Sequence, residues 1–455
     1  MQVNPLMFRE YDIRGKVDED LTVEVAEAIG KAYGTMVKRT GGRRVVCGRD
    51  GRLSGPKLQE ALIRGILSTG VDIVNIGVTP TPVMYFSLFH LQDVHGGIQV
   101  TGSHNPPEFN GFKICVGKET IYGEKIQELR QIIEKEDFAS GQGTEEALDI
   151  LPAYLKFLQE NIHLSRPLKV VLDCGNGVTA LTAPKAFSAK GCEVISLYCE
   201  VDGTFPHHFP DPVVEKNIAD LRRKVVEEGG DFGVGYDGDG DRIGVVDDKG
   251  QVLWGDQLMI LFAREILKKH PGATIIGEVK CSQVMYDEIA RLGGRPIMWK
   301  TGHSLIKNKM KAEKALLAGE MSGHIFFADR YFGFDDALYA SLRLAEIVSA
   351  SDVPLSQLLA DLPQTVSTPE IRVECPDEKK FKIVELLTER LKQEGFQVID
   401  IDGARVIFED GWGLVRASNT QPVLVLRFEA RTEERLLEIR RLIEQKLEEI
   451  KREVA

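Results

Sequence analysis

The sequence predicts an α/β protein with three tandem, related α/β domains followed by a smaller α+β domain. A chain of 455 residues is too long for one core and suggests about three or four domains of ordinary size. Apolar strand-like runs alternate with amphipathic helical stretches in three successive units, whereas the last unit places several strands between two helices. The predicted domains span residues 1–145, 146–250, 251–363 and 364–455.

The composition is typical of a globular protein in a reducing compartment, with 43% hydrophobic and 28% charged residues. No apolar run approaches the roughly 18 residues that cross a bilayer, and the first residues lack the basic and apolar parts of a signal peptide. The 7 cysteines are scattered without a Cys-x-x-Cys pair, which predicts neither a zinc site nor a redox pair. A net charge of −12 argues against nucleic-acid or membrane partners. We therefore expect a cytoplasmic protein.

The first predicted domain alternates strands with helices, which implies right-handed crossovers and a largely parallel core. Its strands are predicted at 43–47, 71–76 and 97–100, and its helices over 55–69 and 82–91. A polar, acidic stretch from 142 to about 149 is predicted as a linker.

The next two domains repeat this pattern, which suggests an internal structural repeat. Their strands are predicted at 168–172, 193–197, 242–246, 274–279, 295–299 and 315–317. In the last domain we predict a helix over 380–394, strands at 397–399, 404–408, 414–417 and 423–428, and a closing helix. One face of that closing helix is apolar and carries Leu436, Ile439, Ile443, Leu447 and Ile450.

The serine loop, residues 101–113, follows a predicted strand and concentrates reactive side chains. Two adjacent prolines stiffen it, so Ser103 is expected at a rigid tip beside His104, with Lys113 as a charge partner. Such a serine suits carrying or transferring a group. The alternative is a turn whose polar side chains cap their own backbone.

The acid loop, residues 237–242, reads Asp-Gly-Asp-Gly-Asp-Arg. Three carboxylates at alternate positions repel one another unless a cation lies among them, and a few hard oxygen ligands favour Mg²⁺. An EF-hand loop is disfavoured because its sixth position would be Arg242 rather than glycine and its twelfth would be Asp248 rather than glutamate. The remaining alternative is a solvated acidic turn.

Two further loops have compositions suited to a sugar phosphate. In the Glu–Ser loop, residues 319–324, Glu320 and Ser322 are two positions apart and face the same side, which suits vicinal hydroxyls. The arginine loop, residues 416–422, combines a guanidinium fork with hydroxyl, amide and backbone donors, as phosphate sites do. An ordinary turn and a polar hairpin are the respective alternatives.

These loops resemble those of the α-D-phosphohexomutases, and most closely the bacterial phosphomannomutase/phosphoglucomutase branch. Thr-Gly-Ser-His-Asn-Pro-Pro at 101–107, with Asn-Gly-Phe-Lys at 110–113, resembles the family's phosphoserine loop. The acid, Glu–Ser and arginine loops resemble its metal-binding, sugar-binding and phosphate-binding loops, in the same order. With residues 8–14 included, the matches span residues 8 to 422. The resemblance implies three related α/β domains with mixed sheets and a smaller fourth domain, arranged around a central cleft.

The resemblance also implies roles for individual residues. Asp237, Asp239 and Asp241 would bind the metal together with the phosphate on Ser103, with Arg242 directing positive charge to the same place. Substrate contacts would come from a larger set, which comprises Tyr11, Arg14, Lys280, Glu320, Ser322, His324, Arg416, Ser418, Asn419 and Thr420. His303 would lie among the third-domain contacts, although a lone histidine there is more often a helix cap and Lys280 alone would more often be solvated. Residues 202–212 depart from the family pattern and are interpreted as structural.

The resulting hypothesis is a reversible phosphosugar mutase. Phosphorylated Ser103 gives its phosphoryl group to a hydroxyl of a hexose phosphate, the bound bisphosphate turns round, and the serine takes back the other phosphate. Proton transfer is assigned to Lys113 first, with His303 and His104 as alternatives. The predicted cofactors are Mg²⁺ and glucose 1,6-bisphosphate as an activator, and the predicted partner is a small hexose phosphate bound by a monomer or weak dimer.

Four alternatives stay open at this stage. Phosphoglucosamine mutase is a related enzyme, but Met321 and Phe112 look more like the mannose/glucose branch. A phosphosugar-binding protein without catalysis and a phosphatase that passes the Ser103 phosphate to water are the second and third. The fourth is a dinucleotide site at residues 175–180, which match G-x-G-x-x-A but lack a well-placed acid about 20 residues further on.

Overall fold

The structure is a computed structural model that describes residues 1–454, and their strands form four sheets. None of the helices within these residues combines the length and the apolar character that a membrane span requires. Each sheet belongs to a different part of the chain, so the domains follow one another without exchanging strands.

The first domain is a mixed sheet with helices packed against it. Its strands are β1 (Ile13–Lys16), β2 (Arg44–Arg49), β3 (Asp72–Val78), β4 (Gly96–Val100), β5 (Phe109–Val116), β6 (Glu119–Thr120) and β7 (Glu145–Ala147). Its helices are α1 (Val23–Arg39), α2 (Gly55–Leu67), α3 (Thr81–His90) and α4 (Glu124–Lys135). The segment predicted as a linker contains β7, which pairs in parallel with β3; its exposed side chains hide this edge strand from pattern analysis.

The second and third domains are built alike. The second contains α5 (Leu151–Asn161), β8 (Lys169–Asp173), α6 (Ala183–Ala189), β9 (Glu193–Leu197), α7 (Ala219–Glu228), β10 (Phe232–Tyr236), β11 (Ile243–Asp247) and β12 (Val252–Leu253). The third contains α8 (Gly255–Lys269), β13 (Thr274–Glu278), α9 (Gln283–Arg291), β14 (Arg295–Trp299), α10 (His303–Glu313), β15 (Leu317–Gly319), β16 (Ile325–Phe327) and α11 (Ala337–Ser349).

The same four-stranded pattern recurs in all three sheets, which confirms the predicted repeat. In each domain the first strand of the pattern pairs in parallel with the next two, and the third pairs antiparallel with the fourth. The hairpin between the third and fourth strands is therefore an equivalent position. In the three domains it carries, in turn, the serine loop, the acid loop and the Glu–Ser loop.

The fourth domain is an antiparallel sheet packed against two helices, in agreement with the predicted α+β class. Its elements are β17 (Val366–Ser367), β18 (Ile371–Glu374), α12 (Asp377–Gln393), β19 (Gln397–Ile399), β20 (Ala404–Phe408), β21 (Gly411–Ala417), β22 (Val423–Ala430) and α13 (Glu433–Val454). The arginine loop joins β21 to β22. On α13, Ile439, Ile443, Leu447 and Ile450 are buried and Leu436 packs beside them.

The hydrophobic cores show which domains are held firmly together. The largest cluster runs without a break from α3 of the first domain through the second domain into α8 and α11 of the third. The fourth domain has its own core and meets the third through a small cluster of Val279, Trp412 and Leu414. The first three domains therefore share a continuous hydrophobic cluster, whereas the fourth meets the third through this small cluster and through buried Arg405 and Arg427, which donate to third-domain carbonyls.

The glycine-rich turn after β8 supports the acid loop. The amide of Val178 donates to the carbonyl of Gly238 at 3.2 Å, and a Cβ on Gly177 would lie 2.9 Å from that oxygen. The turn leads into a 3-10 turn before α6 begins. The glycines that match a dinucleotide motif thus permit close packing of two loops.

Candidate active site

Ser103 lies where the serine loop meets the acid loop. Its side chain is buried, and its Oγ donates to Oδ2 of Asp237 at 2.9 Å. The imidazole Nδ1 of His104 lies 3.1 Å from the same Oγ. Ser103 has a φ of 50°, a left-handed conformation that is uncommon for a side chain other than glycine. The tip of the loop is thus bent so that the hydroxyl faces the acids.

The acid loop gathers three fully buried carboxylates, each 0% exposed, whose oxygens lie within 4.8 Å of one another. Oδ1 of Asp237 accepts hydrogen bonds from the amides of Gly240, Asp241 and Arg242 at 3.0–3.1 Å. These hydrogen bonds hold Oδ1 of Asp237 against the backbone of its own loop, so that Oδ2 faces Ser103.

Lys113 enters the acid loop from β5. Its buried ammonium donates to Oδ2 of Asp239 at 2.7 Å and to Asp241. Burial alone would lower the pKa of Lys113, but the charges of Asp239 and Asp241 outweigh it, and the net shift is upward. Lys113 is therefore a cationic partner of the acids, whereas the proton-transfer role predicted for it first would need the opposite pKa shift.

The acid loop fits a divalent cation. Oδ1 of Asp239 and Oδ1 of Asp241 are buried and have no hydrogen-bond partner among residues 1–454. Burial and repulsion from these two neighbours raise the pKa of Asp237 well above its usual range. Buried, unpartnered carboxylate oxygens are costly, and a hard cation with oxygen preference satisfies both the charge and the lone pairs.

Arg242 is held by two residues of the third domain. Its Nε donates to Nε2 of His324 at 3.0 Å, and Nδ1 of that histidine lies 2.8 Å from Oδ2 of Asp335. The three residues form a chain from a buried carboxylate to a guanidinium at the acid loop.

His303 begins α10 and is buried between aromatic neighbours. Its ring stacks on His324 with centroids 5.6 Å apart and meets the edge of Tyr11 at 6.2 Å. Burial and the nearby Lys307 charge hold the pKa of His303 well below its usual range. Burial and the charges of Arg242 and Arg14 do the same for the pKa of His104. Both imidazoles are therefore neutral near pH 7.

The Glu–Ser loop pairs its two polar side chains. Oε2 of Glu320 accepts from the Ser322 hydroxyl at 3.1 Å, and Oε1 accepts from the amide of Gly302 at 2.5 Å. Lys280 lies on the neighbouring loop, 3.8 Å from Glu278 and 3.1 Å from Glu370. A buried carboxylate with a hydroxyl beside it and a cation across from it can recognise both sugar hydroxyls and a phosphate.

The arginine loop approaches from the fourth domain. Nε of Arg416 donates to Asp402 at 3.1 Å, and Nδ2 of Asn419 donates to the Tyr11 hydroxyl at 2.5 Å. The Ser418 hydroxyl accepts from the amide of Thr420 at 3.3 Å, which folds the loop on itself. Thr420 is the most exposed of the four predicted residues in this loop.

The structure brings most of the predicted residues into one connected network. Tyr11 joins the arginine loop to Thr301 through its hydroxyl, which donates to the Thr301 carbonyl at 2.7 Å. Arg14 donates to Asn105 of the serine loop at 3.0 Å. The residue that stands apart is Thr420, whose contacts stay within its own loop.

Sequence reasoning missed several residues that support the site, namely Asp50, Arg52, Thr81, Glu278, Asp335, Glu370 and Asp402. A signal existed for Asp50 and Arg52 because they follow the carboxyl end of a parallel strand, where functional loops gather. Asp335 follows no such strand, so only the three-dimensional structure shows that it lies beside His324.

A serine, a carboxylate triad and a Glu–Ser pair on equivalent hairpins of three domains define a phosphoryl-transfer class of protein. Comparison with known proteins specifies the family. The family models of phosphoglucomutase/phosphomannomutase match the chain in four parts, as alpha/beta/alpha domains I, II and III at residues 5–140, 152–250 and 254–366 and as the C-terminal domain at residues 370–446. The chain belongs to the phosphoglucomutase/phosphomannomutase family.

Individual relatives cover nearly the whole chain. A phosphomannomutase/phosphoglucomutase of Pseudomonas aeruginosa is 49% identical over 98% of this chain and 96% of its own. A phosphoglucomutase of Neisseria meningitidis is 46% identical over 94% and 93%. The crystal structure of a Burkholderia thailandensis member of the family is 44% identical, covers 99% and 98%, and superposes with a TM-score of 0.94. These matches confirm the fold class and the family predicted from the four loops.

Proposed function

We propose that the protein is a phosphosugar mutase that moves a phosphoryl group between O1 and O6 of a mannose or glucose phosphate. The observation that carries the proposal is the contact between Ser103 Oγ and Asp237 Oδ2 at 2.9 Å. Through this contact Ser103, the predicted carrier of the phosphoryl group, lies next to the acids that would bind the charge-neutralising cation. The names of the relatives support the same reaction, with mannose and glucose phosphates as substrates.

Asp237, Asp239 and Asp241 would hold Mg²⁺, which supplies neutralisation of the phosphoryl oxygens when bound. Arg242 and Lys113 add fixed positive charge from the two sides of the same loop. Phosphoryl transfer depends mainly on such alignment and charge stabilisation. We propose that Glu320 and Ser322 hold the middle hydroxyls of the sugar, since those groups occupy similar positions in both orientations of the bisphosphate.

The reaction balances in two steps. The bond between phosphorus and Ser103 Oγ breaks and the serine oxygen keeps the electron pair, while a sugar hydroxyl oxygen bonds to phosphorus and its proton passes through a base to Ser103 Oγ. After the bisphosphate turns, Ser103 Oγ takes the other phosphoryl group and the proton returns to the sugar oxygen. Lys113, His104 and His303 are the candidate proton acceptors. The buried Nε2 of His303 has no hydrogen-bond partner among residues 1–454, which favours it over Lys113 with its two carboxylate partners.

The phosphate that is not reacting would bind Arg416, Ser418, Asn419 and Lys280, which lie on the fourth-domain side of the cleft. Glucose 1,6-bisphosphate is proposed as the activator, because it is the reaction's own intermediate and can phosphorylate a free Ser103.

The test is the intact mass of the purified protein before and after incubation with glucose 1,6-bisphosphate. A gain of one phosphoryl group on Ser103, absent in Ser103→Ala, together with loss of isomerisation in that variant, is the expected result. A protein that isomerises sugar phosphates without phosphate on Ser103 would contradict the proposal. Release of inorganic phosphate at the rate of isomerisation would indicate a phosphatase instead. Faster turnover of glucosamine 6-phosphate than of mannose 1-phosphate would refute the proposed substrate.

A further inference from the structure

Arg52 is a fully buried arginine outside the set that the proposed reaction uses. It follows β2, the first strand of the repeat, and its side chain is 0% exposed. Its two terminal nitrogens donate to backbone carbonyls of the serine loop. The acceptors are the carbonyls of Ser103 at 2.9 Å, Asn105 at 2.5 Å, Pro106 at 2.6 Å and Phe109 at 2.9 Å. A single guanidinium thus bonds to most of the turn that presents the serine.

The surroundings of Arg52 keep the guanidinium in this place. Oδ2 of Asp50 lies 3.3 Å from its Nε and also accepts from the Thr101 hydroxyl at 2.7 Å. The Phe205 ring covers it with its centroid 5.2 Å from Cζ. Gly102 leaves the necessary space, since a Cβ there would lie 2.5 Å from Cζ of Arg52. Phe205 lies in residues 202–212, so the segment interpreted as structural packs on the arginine that binds the serine loop.

We infer that Arg52 is a positioning residue, which holds the serine loop so that Ser103 Oγ faces Asp237. The left-handed φ of Ser103 requires external support, because an ordinary residue resists that conformation. A planar fork with several fixed donors can satisfy clustered carbonyls, whereas a lysine ammonium cannot reproduce that geometry. The corresponding loop of the third repeat, after β13, carries Lys280, so the loop after the first strand supplies a proposed substrate contact in one repeat and supports the serine loop in another.

This inference rests on the proposed function, because it assigns Arg52 to the placement of a phosphoryl carrier. The test compares wild type with Arg52→Lys in single-turnover transfer from phosphorylated enzyme to glucose 1-phosphate, alongside substrate binding to the dephosphorylated enzyme. We expect transfer to slow by about 10²-fold, the usual effect of misplacing a reacting group by about 1 Å. Substrate affinity should stay unchanged, because the sugar contacts lie on other loops. Added guanidinium should partly restore transfer in Arg52→Ala.

The matched control is Arg343→Lys, since Arg343 is also buried and bonds to Asp329 within the third domain, away from the serine loop. Gly102→Ala is a second test, which keeps the charge but displaces the guanidinium and crowds the Phe109 carbonyl oxygen 2.8 Å away, and it should slow transfer in the same way. Transfer at the wild-type rate in Arg52→Lys or Gly102→Ala, or equal slowing in Arg343→Lys, overturns the assignment. If wild type carries phosphate on Ser103 in that experiment, only the role of Arg52 is rejected. A wild type that never takes up phosphate overturns the proposed function as well.

Discussion

At the scale of single residues, the two oxygens of Asp239 have opposite surroundings. Oδ2 accepts from Lys113 at 2.7 Å and from the Thr81 hydroxyl at 2.5 Å, while Oδ1 has no partner within residues 1–454. The backbone amide of Thr81 also donates to the Asp239 carbonyl at 2.8 Å. Thr81, at the start of α3, therefore anchors the carboxylate and leaves the other oxygen directed to a cation.

Replacing Thr81 with valine should weaken metal binding. The variant keeps the shape of the side chain and loses a hydrogen bond to a charged group, worth about 1.5–3 kcal/mol, so the Mg²⁺ concentration for half-maximal activity should rise by about 10-fold or more. Activity at saturating Mg²⁺ should approach that of wild type. Ser87→Ala is the control, because it removes another buried hydroxyl of α3, which bonds only to its own helix. Equal Mg²⁺ dependence in both variants would refute the role of Thr81.

His208, in the segment 202–212, links the stability of the fold to pH. Its Nε2 lies 3.0 Å from Asp173, and although burial lowers the pKa of His208, this carboxylate outweighs it and the net shift is upward. A raised folded-state pKa means that the stabilisation is fully present below the unfolded pKa of about 6.5 and is lost as pH rises through the folded value.

His208→Gln should therefore lower the unfolding midpoint more at pH 5.5 than at pH 9. The measurement is denaturant unfolding at both pH values, with the exposed His270→Gln as control. A loss that is the same at both pH values would contradict the pairing with Asp173.

At the scale of elements, the site depends on the close approach of two hairpin tips. A Cβ on Gly238 of the acid loop would lie 2.4 Å from the Ser103 carbonyl oxygen. Neither backbone can move aside without displacing Ser103 or Asp237, which are joined by their own hydrogen bond.

Gly238→Ala should separate the serine from the acids. We expect phosphoryl transfer to fall by about 10²-fold with sugar-phosphate binding retained. Gly230→Ala is the matched control in the same domain, since a Cβ there meets nothing closer than 3.5 Å. Single-turnover transfer and equilibrium binding measured for both variants separate a misplaced serine from general loss of structure. Wild-type transfer in Gly238→Ala would refute the argument.

Sequence reasoning identified the loops that carry chemistry because each concentrates unusual residues after a strand. It did not identify α1, because Gly30 and Gly34 weaken the helical pattern. In the fold, Gly30 permits close packing of α1 on α2, where a Cβ would lie 2.2 Å from the Leu62 carbonyl. Arg52 follows a parallel strand but was missed, since the carbonyls that it binds are more than 50 positions away in sequence. Asp335 was missed because β16 separates it from its partner His324.

At the scale of the whole molecule, polar contacts beside the arginine loop join the fourth domain to the first and third. The Tyr11 hydroxyl bonds to Thr301 of the third domain at 2.7 Å and to Asn419 of the fourth at 2.5 Å. Lys280 and Glu370 form a further link at 3.1 Å. The core of the fourth domain is separate. These polar contacts, the small cluster around Trp412 and the buried Arg405 and Arg427, which donate to third-domain carbonyls, therefore set how firmly the fourth domain is held.

Tyr11→Phe should let the bisphosphate escape more often before it turns round. The variant loses a hydroxyl that joins three domains, and a buried hydrogen bond of about 1–1.5 kcal/mol corresponds to about a 10-fold increase in the glucose 1,6-bisphosphate needed for sustained activity. Tyr33→Phe is the control, because the Tyr33 hydroxyl bonds to the Cys115 carbonyl inside the first domain. Activity is measured against activator concentration, and bisphosphate released per turnover is counted in parallel. If Tyr11→Phe and Tyr33→Phe need the same concentration of glucose 1,6-bisphosphate, domain closure does not depend on the Tyr11 hydroxyl. If Tyr11→Phe needs more glucose 1,6-bisphosphate and also releases more of it per turnover, the contacts between the first, third and fourth domains retain the intermediate.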